Sequence, residues 1–355
     1  MNVLLLFSTS NIGGAERSIT RMALASSKIN YKLSTFSCQG EWSEWALTMG
    51  GNPITFGSKR SFFFTLLNLY KYIRSNDIDF LYVFGGKLSL ILQLLHWILP
   101  NVKLIHGMRH NPDSNNRQDR ALLFGMKWLQ GSADGWITNS LCAKETIVKK
   151  SNIPEERITV IYNGIDIPKQ KLVPLIKRPM EVITVANIRL SKGYLEYLDV
   201  IGRVVSVFTE VKFVFIGRDD MSGVIERAII DADLEEFITY KGFQKDVSIS
   251  YNRARIFALP SLWGEGCPTT ILEAFSFGVP VVAYAIDGIP ELVNNNTDGI
   301  LSKPSDVQSM ADGICKLLTN IDVAQEYADS GHKKVSHNFS IKSSMLNHDA
   351  FWLDF

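Results

Sequence analysis

Cysteine is scarce and scattered in this chain of 355 residues, and the scarcity excludes several kinds of site. The four cysteines, Cys38, Cys142, Cys267 and Cys315, form no Cys-x-x-Cys pair and no cluster with histidine. Such spacing does not suit a zinc site or a disulfide framework. We therefore expect a protein of a reducing compartment and assign it to the cytoplasm.

Net charge and long apolar runs are also nearly absent. The chain has 37 basic and 36 acidic side chains and a formal net charge of +1, so no overall field favours nucleic acid as a partner. The longest apolar stretches, 61–73 and 88–100, are shorter or more interrupted than the roughly 20 residues of a membrane-spanning helix. The opening segment MNVLLLFSTSNIGG lacks a basic start, and we interpret it as a first β-strand rather than a signal peptide.

Short apolar runs alternate with helical patterns through both halves of the chain. This alternation predicts an α/β protein with two doubly wound, Rossmann-like parallel sheets that face a cleft. We predict domains at residues 1–167 and 168–338, and a C-terminal helix at 339–355 that packs back on the first domain. The predicted strands are 3–7, 32–36, 80–83 and 102–106, followed by 181–186, 211–216, 255–259 and 279–283.

A glycine pair follows the first predicted strand, in the segment FSTSNIGGAERSITRMA. Gly13 and Gly14 would let backbone N–H groups approach an anion at the start of the next helix, although a plain tight turn explains them equally well. The spacing is not Gly-x-Gly-x-x-Gly, and no acidic residue ends the second strand, so a dinucleotide site is not favoured. No Gly-Lys-Ser/Thr follows, which excludes a P-loop.

Two basic residues, Arg189 and Lys192, lie between a strand and a helix in VANIRLSKGYLEY. Ligands of parallel α/β sheets bind at the carboxyl ends of the strands. The arginine fork and the lysine ammonium both suit phosphate oxygens there. The alternative interpretation is that Arg189 and Lys192 are ordinary surface residues in contact with solvent.

A loop and helix with two glutamates follow, in SLWGEGCPTTILEAFSFGVPVVA. Pro268 suits a first helical turn, so the N–H groups of Thr269, Thr270 and Ile271 would offer a site for a diphosphate. The glutamates, Glu265 and Glu273, would accept hydrogen bonds from sugar hydroxyls. Alternatively, Glu273 is an early helical glutamate favoured by the helix dipole.

Taken together, these segments resemble family 4 of the retaining glycosyltransferases, which have the GT-B fold. The matching motifs are GGAER (13–17), NGID (163–166), NIRLSKG (187–193), KGF…KDV (241–247), EGCPTTILEAFSFGVPVVA (265–283) and GIPELV (288–293). The pair of glutamates separated by seven residues is the most specific of them.

The resemblance implies a role for each matching residue. Glu273 would hold the ribose of the nucleotide, Glu265 would lie near the transferred sugar, and Arg189 and Lys192 would contact the diphosphate. Backbone from Gly266 through Cys267 and Pro268 to Thr270 would contact sugar and phosphate, and Gly14 would close the phosphate site.

Many members of the family have a histidine near the reacting carbon. The candidate segment here is KLIHGMRHNPDS, which offers His106, Arg109 and His110 without a unique assignment.

The implied reaction transfers a hexose or N-acetylhexosamine from a nucleotide-diphosphate sugar, preferably linked to UDP, to a saccharide acceptor of a surface polysaccharide. No Asp-x-Asp motif stands at a suitable place, so we expect neither a metal nor another cofactor. The acceptor is expected to be lipid-linked and the enzyme a monomer or weak homodimer.

The basic and aromatic segment 57–75 suggests peripheral association with the cytoplasmic face of the inner membrane, with a buried helix as the alternative.

Two other functions fit the same donor motifs. One is a different GT-B activity, namely a sugar-nucleotide epimerase; a phosphorylase would need a cofactor lysine for which the sequence gives no case. The other is a non-catalytic subunit that binds a nucleotide sugar.

Overall fold

The structure is a computed structural model that describes residues 1–57, 61–95, 102–112 and 117–355. These residues divide into two compact units. Unit 1 combines Met1–Gly164 with Ile341–Phe355, and unit 2 is Ile165–Ser340. Each unit contains its own parallel sheet and its own buried core.

Strands and helices alternate along unit 1. Its strands are β1 Asn2–Phe7, β2 Asn30–Thr35, β3 Ile54–Thr55, β4 Phe80–Phe84, β5 Lys103–Met108, β6 Gly135–Thr138 and β7 Ile158–Val160. The helices between them are α1 Gly14–Ala25, α2 Glu41–Thr48, α3 Phe62–Ser75, α4 Gly86–Leu95, α5 Arg117–Leu129 and α6 Leu141–Ser151. Among the described residues the strand order is β3-β2-β1-β4-β5-β6-β7, all parallel.

The sheet of unit 1 is buried on both faces. Side chains of a strand alternate between the two faces, so Leu5 packs with Ile19 and Trp42 on one side, while Leu4 packs with Leu69 on the other. Helices cover both sides, as a parallel sheet requires, and the strand sequences are therefore almost continuously apolar.

Unit 2 repeats this architecture. Its strands are β8 Glu181–Val185, β9 Lys212–Ile216, β10 Ile238–Tyr240, β11 Ile256–Leu259, β12 Val281–Tyr284 and β13 Gly299–Ser302. Its helices are α7 Tyr194–Val205, α8 Val224–Asp231, α9 Ser248–Arg253, α10 Thr269–Ser276, α11 Ile289–Leu292, α12 Val307–Thr319 and α13 Ile321–Asn338. The strands are parallel in the order β10-β9-β8-β11-β12-β13.

The last helix, α14 Ile341–Asp354, packs in unit 1 rather than unit 2. Its Trp352 is fully buried and packs at a tilt against Phe80 and edge-on against Tyr82, with ring centroids 5.0 and 5.3 Å apart. Its indole N–H donates to the Tyr31 hydroxyl at 2.8 Å. The helix thus completes the hydrophobic core on the side of α1.

The predicted α/β class with two doubly wound parallel sheets is confirmed. All eight predicted strands are present, with ends that differ by at most two residues. Five further strands are found among the described residues: β3, β6, β7, β10 and β13. They have two to four residues each, and the shortest predicted strands, β11 and β12, have four.

Helix α3 occupies most of segment 57–75, of which residues 58–60 lie outside the described residues, and association of this segment with a membrane stays a prediction. Thr65, Leu69 and Ile73 are buried in the core, whereas the first turn exposes three phenylalanines, Phe63 the most at 70%. The apolar stretch 88–100 also extends beyond the described residues, at 96–100. In the described parts of the chain, none of the helices has the length and apolar character needed to cross a bilayer.

Candidate functional site

The carboxyl ends of β8 and β11 form the centre of the candidate site in unit 2. These strands are neighbours, but the chain continues from β8 to β9 on one side and from β11 to β12 on the other. Ligands of open α/β sheets bind at such a switch point. The two loops that leave it are joined by a hydrogen bond of 2.8 Å, donated by the Leu262 amide to the Ser191 carbonyl.

Gly193 allows the two loops to approach each other. Its φ of +66° lies in the left-handed region, and a Cβ there would come within 2.1 Å of the Pro260 carbonyl oxygen. Any other residue would push the loops apart. The glycine thereby fixes the 3₁₀ turn Leu190–Lys192 beside the loop after β11.

Lys192 and Glu265 form the centre of this arrangement. The Lys192 ammonium donates to Glu265 Oε1 at 2.5 Å, and the Ser261 hydroxyl donates to the same oxygen at 2.5 Å. The Glu265 side chain is only 7% exposed and that of Lys192 23%. A buried carboxylate is stabilised by such donors, and neither bond uses Oε2.

Asp287 shapes the loop that carries Glu265. Its Oδ2 accepts hydrogen bonds from the amides of Gly264 at 2.7 Å and Glu265 at 3.0 Å, and the Gly288 amide donates to the Glu265 carbonyl at 3.3 Å. These bonds fix the backbone of a loop that has no regular secondary structure.

Helix α10 begins just after this loop, with Pro268 as N-cap and no acidic residue in its first turn. The sequence predicted that the Ile271 amide is available to a ligand. In the structure this amide donates instead to the Pro268 carbonyl at 3.2 Å. Among the described residues, the amides of Thr269 and Thr270 have no hydrogen-bond partner, as expected for the first residues of a helix. Gly266 and Cys267 are buried directly before them.

Glu273 lies on α10 and is half-buried. The hydroxyl of Tyr251, a fully buried residue of α9, lies 3.2 Å from Glu273 Oε2 and 3.2 Å from the Thr270 carbonyl oxygen. Burial and the nearby Glu273 carboxylate raise the pKa of Tyr251 well above its ordinary value, so the hydroxyl remains a neutral donor. The Tyr251 ring stacks on Phe277 at 5.5 Å, which fixes its position.

Arg189 lies at the same edge of the sheet, but its side chain is directed to the loop after β9. Its Nε donates to Asp220 Oδ2 at 2.5 Å, and the pair is exposed, at 53% and 33% of the two side chains. Exposed pairs of this kind contribute little to stability, so a ligand of higher charge can take the guanidinium.

In unit 1, the glycine pair lies at the start of α1, at the switch point between β1 and β4. Gly13 is the N-cap and has an extended backbone with φ −141°, which does not require glycine. The Glu16 carboxylate lies beside Gly13, with Oε2 2.8 Å from where a Cβ of Gly13 would be, and the backbone N–H groups of Gly13 and Glu16 lower the pKa of this carboxyl. An acidic side chain thus lies at the start of the helix, where an anion would otherwise bind.

The three candidates in the segment KLIHGMRHNPDS, namely His106, Arg109 and His110, lie in different surroundings in the structure. His106 is 5% exposed, lies in the middle of β5 and stacks on Trp136 at 6.0 Å. It faces a small cavity of about 20 Å³ lined by Ser89, Gln93 and Met126. His106 thus lies in the core between sheet and helices, two residues before the end of β5, and a role for it in catalysis stays a prediction.

Arg109 and His110 follow the carboxyl end of β5. His110 Nε2 lies 3.2 Å from Asp119 Oδ1 and is 45% exposed. The Arg109 guanidinium donates to the Tyr82 hydroxyl at 2.6 Å and to the Ile161 carbonyl at 3.4 Å.

His348 of α14 also supports Arg109. Its Nδ1 donates to the Ser344 carbonyl at 2.8 Å, so Nε2, 3.4 Å from Arg109 Nη2, is the acceptor. Burial first, and then the Arg109 charge, lower the pKa of His348 to about 3. The Arg109 charge also lowers the pKa of Glu16, although burial of that carboxyl has the larger effect and raises it. Arg109 thus lies close enough to the start of α1 for its charge to act on the Glu16 carboxyl.

Sequence reasoning did not find Ser261, Asp287, Tyr251, Asp220 or Glu16. Only Glu16 had a readable signal, because a glutamate three residues after a helix N-cap is a capping pattern. The others contact the predicted residues through the fold alone. Among the described residues, no group of three or more histidine, cysteine or acidic side chains is placed to hold a metal ion.

Comparison with known families agrees with this geometry. The family model Glycosyltransferase Family 4 matches residues 12–169, and Glycosyl transferases group 1 matches residues 166–334. The chain therefore belongs to the family 4 glycosyltransferases and is a transferase, as its motifs predicted.

Characterised relatives include bacterial transferases. The chain is 24% identical over 298 residues to the UDP-Gal:alpha-D-GlcNAc-diphosphoundecaprenol alpha-1,3-galactosyltransferase of Escherichia coli, covering 78% of this chain and 76% of the relative. It is 32% identical over 170 residues to the amylovoran biosynthesis glycosyltransferase AmsK of Erwinia amylovora, covering 44% and 41% of the two chains.

Solved structures resemble the chain over its whole length. HepE of Anabaena in complex with UDP superposes with a TM-score of 0.87 at 19% identity, with 100% of both chains covered. A glycosyltransferase of Rickettsia africae gives 0.82 at 17% identity, with 99% of this chain and 98% of the other covered. At these identities the likeness shows the fold, which is GT-B as predicted.

Proposed function

We propose that the chain is a retaining glycosyltransferase of bacterial polysaccharide biosynthesis, which moves a hexose or N-acetylhexosamine from a UDP-sugar to a lipid-linked saccharide. One observation carries the proposal: the Lys192–Glu265–Ser261 cluster lies in the loops at the switch point of unit 2, directly before the open start of α10. The donor is assigned to unit 2 and acceptor recognition to unit 1, including Arg109 and His110.

The diphosphate would bind at the start of α10. The amides of Thr269 and Thr270 and the helix dipole favour an anion there, and Lys192 adds a full positive charge. Arg189 would exchange its exposed contact with Asp220 for a phosphate oxygen. Glu273, oriented by Tyr251, would accept the hydroxyls of the ribose.

In the reaction, the bond between the anomeric carbon and the phosphate oxygen breaks, and negative charge grows on the departing diphosphate. Lys192, Arg189 and the two amides stabilise that charge without reorganisation. The acceptor hydroxyl attacks the same face of the sugar, and its proton passes to the leaving phosphate oxygen, so configuration is retained. Glu265, held by Lys192 and Ser261, positions hydroxyls of the transferred sugar. These charges perform the task without a divalent ion.

The relatives support the choice of donor and acceptor. The name of the Escherichia coli relative gives a UDP-sugar as donor and a diphosphoundecaprenol-linked sugar as acceptor, and that of the Erwinia protein gives amylovoran biosynthesis. HepE was solved with UDP and also with UDP-glucose. With an acceptor of this kind, we propose that the enzyme acts at the cytoplasmic face of the inner membrane.

The experiment is calorimetric titration with UDP, GDP, ADP and dTDP, followed by chromatography of products from the matching nucleotide sugars. UDP should bind at least tenfold more tightly than the others, and UDP should be released from a UDP-sugar when a saccharide acceptor is present. Accumulation of an epimerised nucleotide sugar would contradict the proposal, and so would tight UDP binding without transfer to any lipid-linked acceptor tested. The anomeric configuration of the product, read by NMR, tests retention.

A further inference from the structure

The outward side of helix α5 in unit 1 exposes two large aromatic rings. Phe124 is 65% and Trp128 72% exposed, and their ring centroids lie 6.0 Å apart. On the same side, Arg117, Arg120 and Lys127 are exposed. These five residues are called the α5 face.

The aromatic rings of the α5 face are not needed to attach the helix to its unit. Leu122, Leu123 and Met126, on the opposite side of α5, are buried in the core. Leu122 reaches the start of α4, since its methyl groups lie 2.8–2.9 Å from where a Cβ of Gly86 would be. The helix already has one complete apolar stripe, so Phe124 and Trp128 form a second one that contacts nothing in the core.

The charge of the α5 face has one sign. Arg117, Arg120 and Lys127 make no ion pair within the described part of the chain. The acidic residue of this helix, Asp119, is 15% exposed and pairs with His110. The face therefore offers three cations and no exposed carboxylate, although the whole chain is nearly neutral at +1.

We propose that the α5 face binds an anionic lipid surface, with Trp128 and Phe124 inserted at the level of the headgroups. Tryptophan with flanking basic side chains is the combination that lies at membrane interfaces, because the rings bury apolar area while the cations meet anionic headgroups. The inference rests on the proposed lipid-linked acceptor and names the surface that brings the enzyme to it. The surface is α5, whereas the sequence suggested the segment that includes α3.

The test is flotation of the full-length protein with lipid vesicles, without any substrate. Vesicles with about one third phosphatidylglycerol should carry the wild-type protein upward, and purely zwitterionic vesicles should carry at least tenfold less. The variant Phe124→Ser/Trp128→Ser should lose at least 90% of the floated protein, and Arg120→Glu/Lys127→Glu should lose as much. Binding should also fall as salt increases, because exposed charges are screened.

A matched control removes exposed aromatic surface elsewhere in the same unit. Phe63→Ser on α3 deletes a ring that is 70% exposed and should leave flotation within twofold of wild type. If Phe63→Ser releases the protein while the α5 variants still float, the assignment to α5 is wrong. If the wild type floats with neither vesicle, the surface does not bind lipid, and an acidic protein becomes the better partner.

Failure of this inference is distinguishable from failure of the proposed function. All substituted residues lie in unit 1 and are exposed, so UDP affinity by calorimetry and the thermal unfolding temperature should match those of wild type in each variant. If the protein floats through α5 but binds no nucleotide, the donor assignment is wrong and the lipid-binding surface is supported. If it binds UDP but does not float, the lipid-binding surface is wrong and the donor assignment is supported.

Discussion

Helices α1 and α10 both begin after a strand at the switch point of a parallel sheet, yet their first turns differ in one respect. In α1, the third helical residue is Glu16, whose carboxylate lies beside Gly13 at the start of the helix. In α10, the corresponding residue is the apolar Ile271, and the glutamate comes two residues later, where it contacts Tyr251 instead of the helix end.

The difference shows that a glycine pair does not make an anion site and that an open helix start does not require one. A carboxylate in the first turn supplies the negative charge that a ligand would otherwise bring. The proposed phosphate site therefore follows from the placement of one acidic side chain relative to the N-cap.

The largest effect is expected for a substitution of Lys192, beside the open start of α10 in unit 2. Lys192→Ala should lower the turnover number by about 10²–10³-fold, because a preorganised positive charge is lost where charge develops. Turnover is measured as UDP release from the preferred donor. Lys144→Ala, which breaks an ion pair of 3.0 Å in unit 1, is the control and should keep full activity. A loss below threefold for a folded Lys192 variant would contradict the role of this lysine.

The comparison is tested by placing an acid in the first turn of α10. The substitution is made at Thr270 because Ile271, which corresponds to Glu16, is buried. Thr270→Glu should weaken UDP binding by about 10–100-fold in calorimetry, because the new carboxylate repels the diphosphate and competes for the amides. Thr270→Gln has the same size without the charge and should lose less than fivefold. Equal affinities for the two variants would show that the phosphates bind elsewhere.

A smaller effect, on UDP affinity, is expected for Tyr251, whose hydroxyl contacts the Glu273 carboxylate. Tyr251→Phe removes a hydrogen bond of about 0.5–1.5 kcal/mol, so UDP affinity should fall up to about tenfold while kcat changes less than twofold. Tyr197→Phe, which alters another fully buried ring of unit 2, serves as control. If both variants lower only the unfolding temperature, Tyr251 is structural and does not position Glu273.

The smallest effect is expected in unit 1. Glu16→Gln should leave UDP affinity within twofold, because unit 1 is assigned to the acceptor. Burial raises the pKa of the Glu16 carboxyl, so its contribution to stability is fully present below the ordinary glutamate pKa and is lost as pH rises through the folded value. The wild type should therefore lose stability relative to the variant as pH rises above the ordinary glutamate pKa, which is measured by thermal unfolding at a series of pH values. The opposite slope would show that Glu16 is stabilised as an anion.

Sequence reasoning predicted the fold well because long apolar strands and helix periods are local signals. It predicted that Lys192 lies between a strand and a helix and that a helix begins near Pro268, since glycines and Pro268 mark the ends of elements. It did not place His106, because β5 extends to Met108, two residues beyond the predicted end. That extension leaves His106 in the middle of the strand and brings Arg109 to its end.

Contacts between distant segments were beyond sequence reasoning. The pairing of Arg189 with Asp220 depends on two loops that meet only when β8 and β9 pair. The Tyr251 hydroxyl reaches Glu273 only because α9 packs beside α10. No local pattern encodes such distances, and side-chain roles that depend on them need the structure.

The return of α14 to unit 1 has a practical consequence for dissecting the enzyme. Unit 2 is one uninterrupted segment, whereas unit 1 is assembled from both ends of the polypeptide. A fragment ending before Ile341 would lack Trp352 and leave Phe80 and Tyr82 without their buried partner. Expression of unit 1 by itself therefore requires residues 341–355 together with residues 1–164.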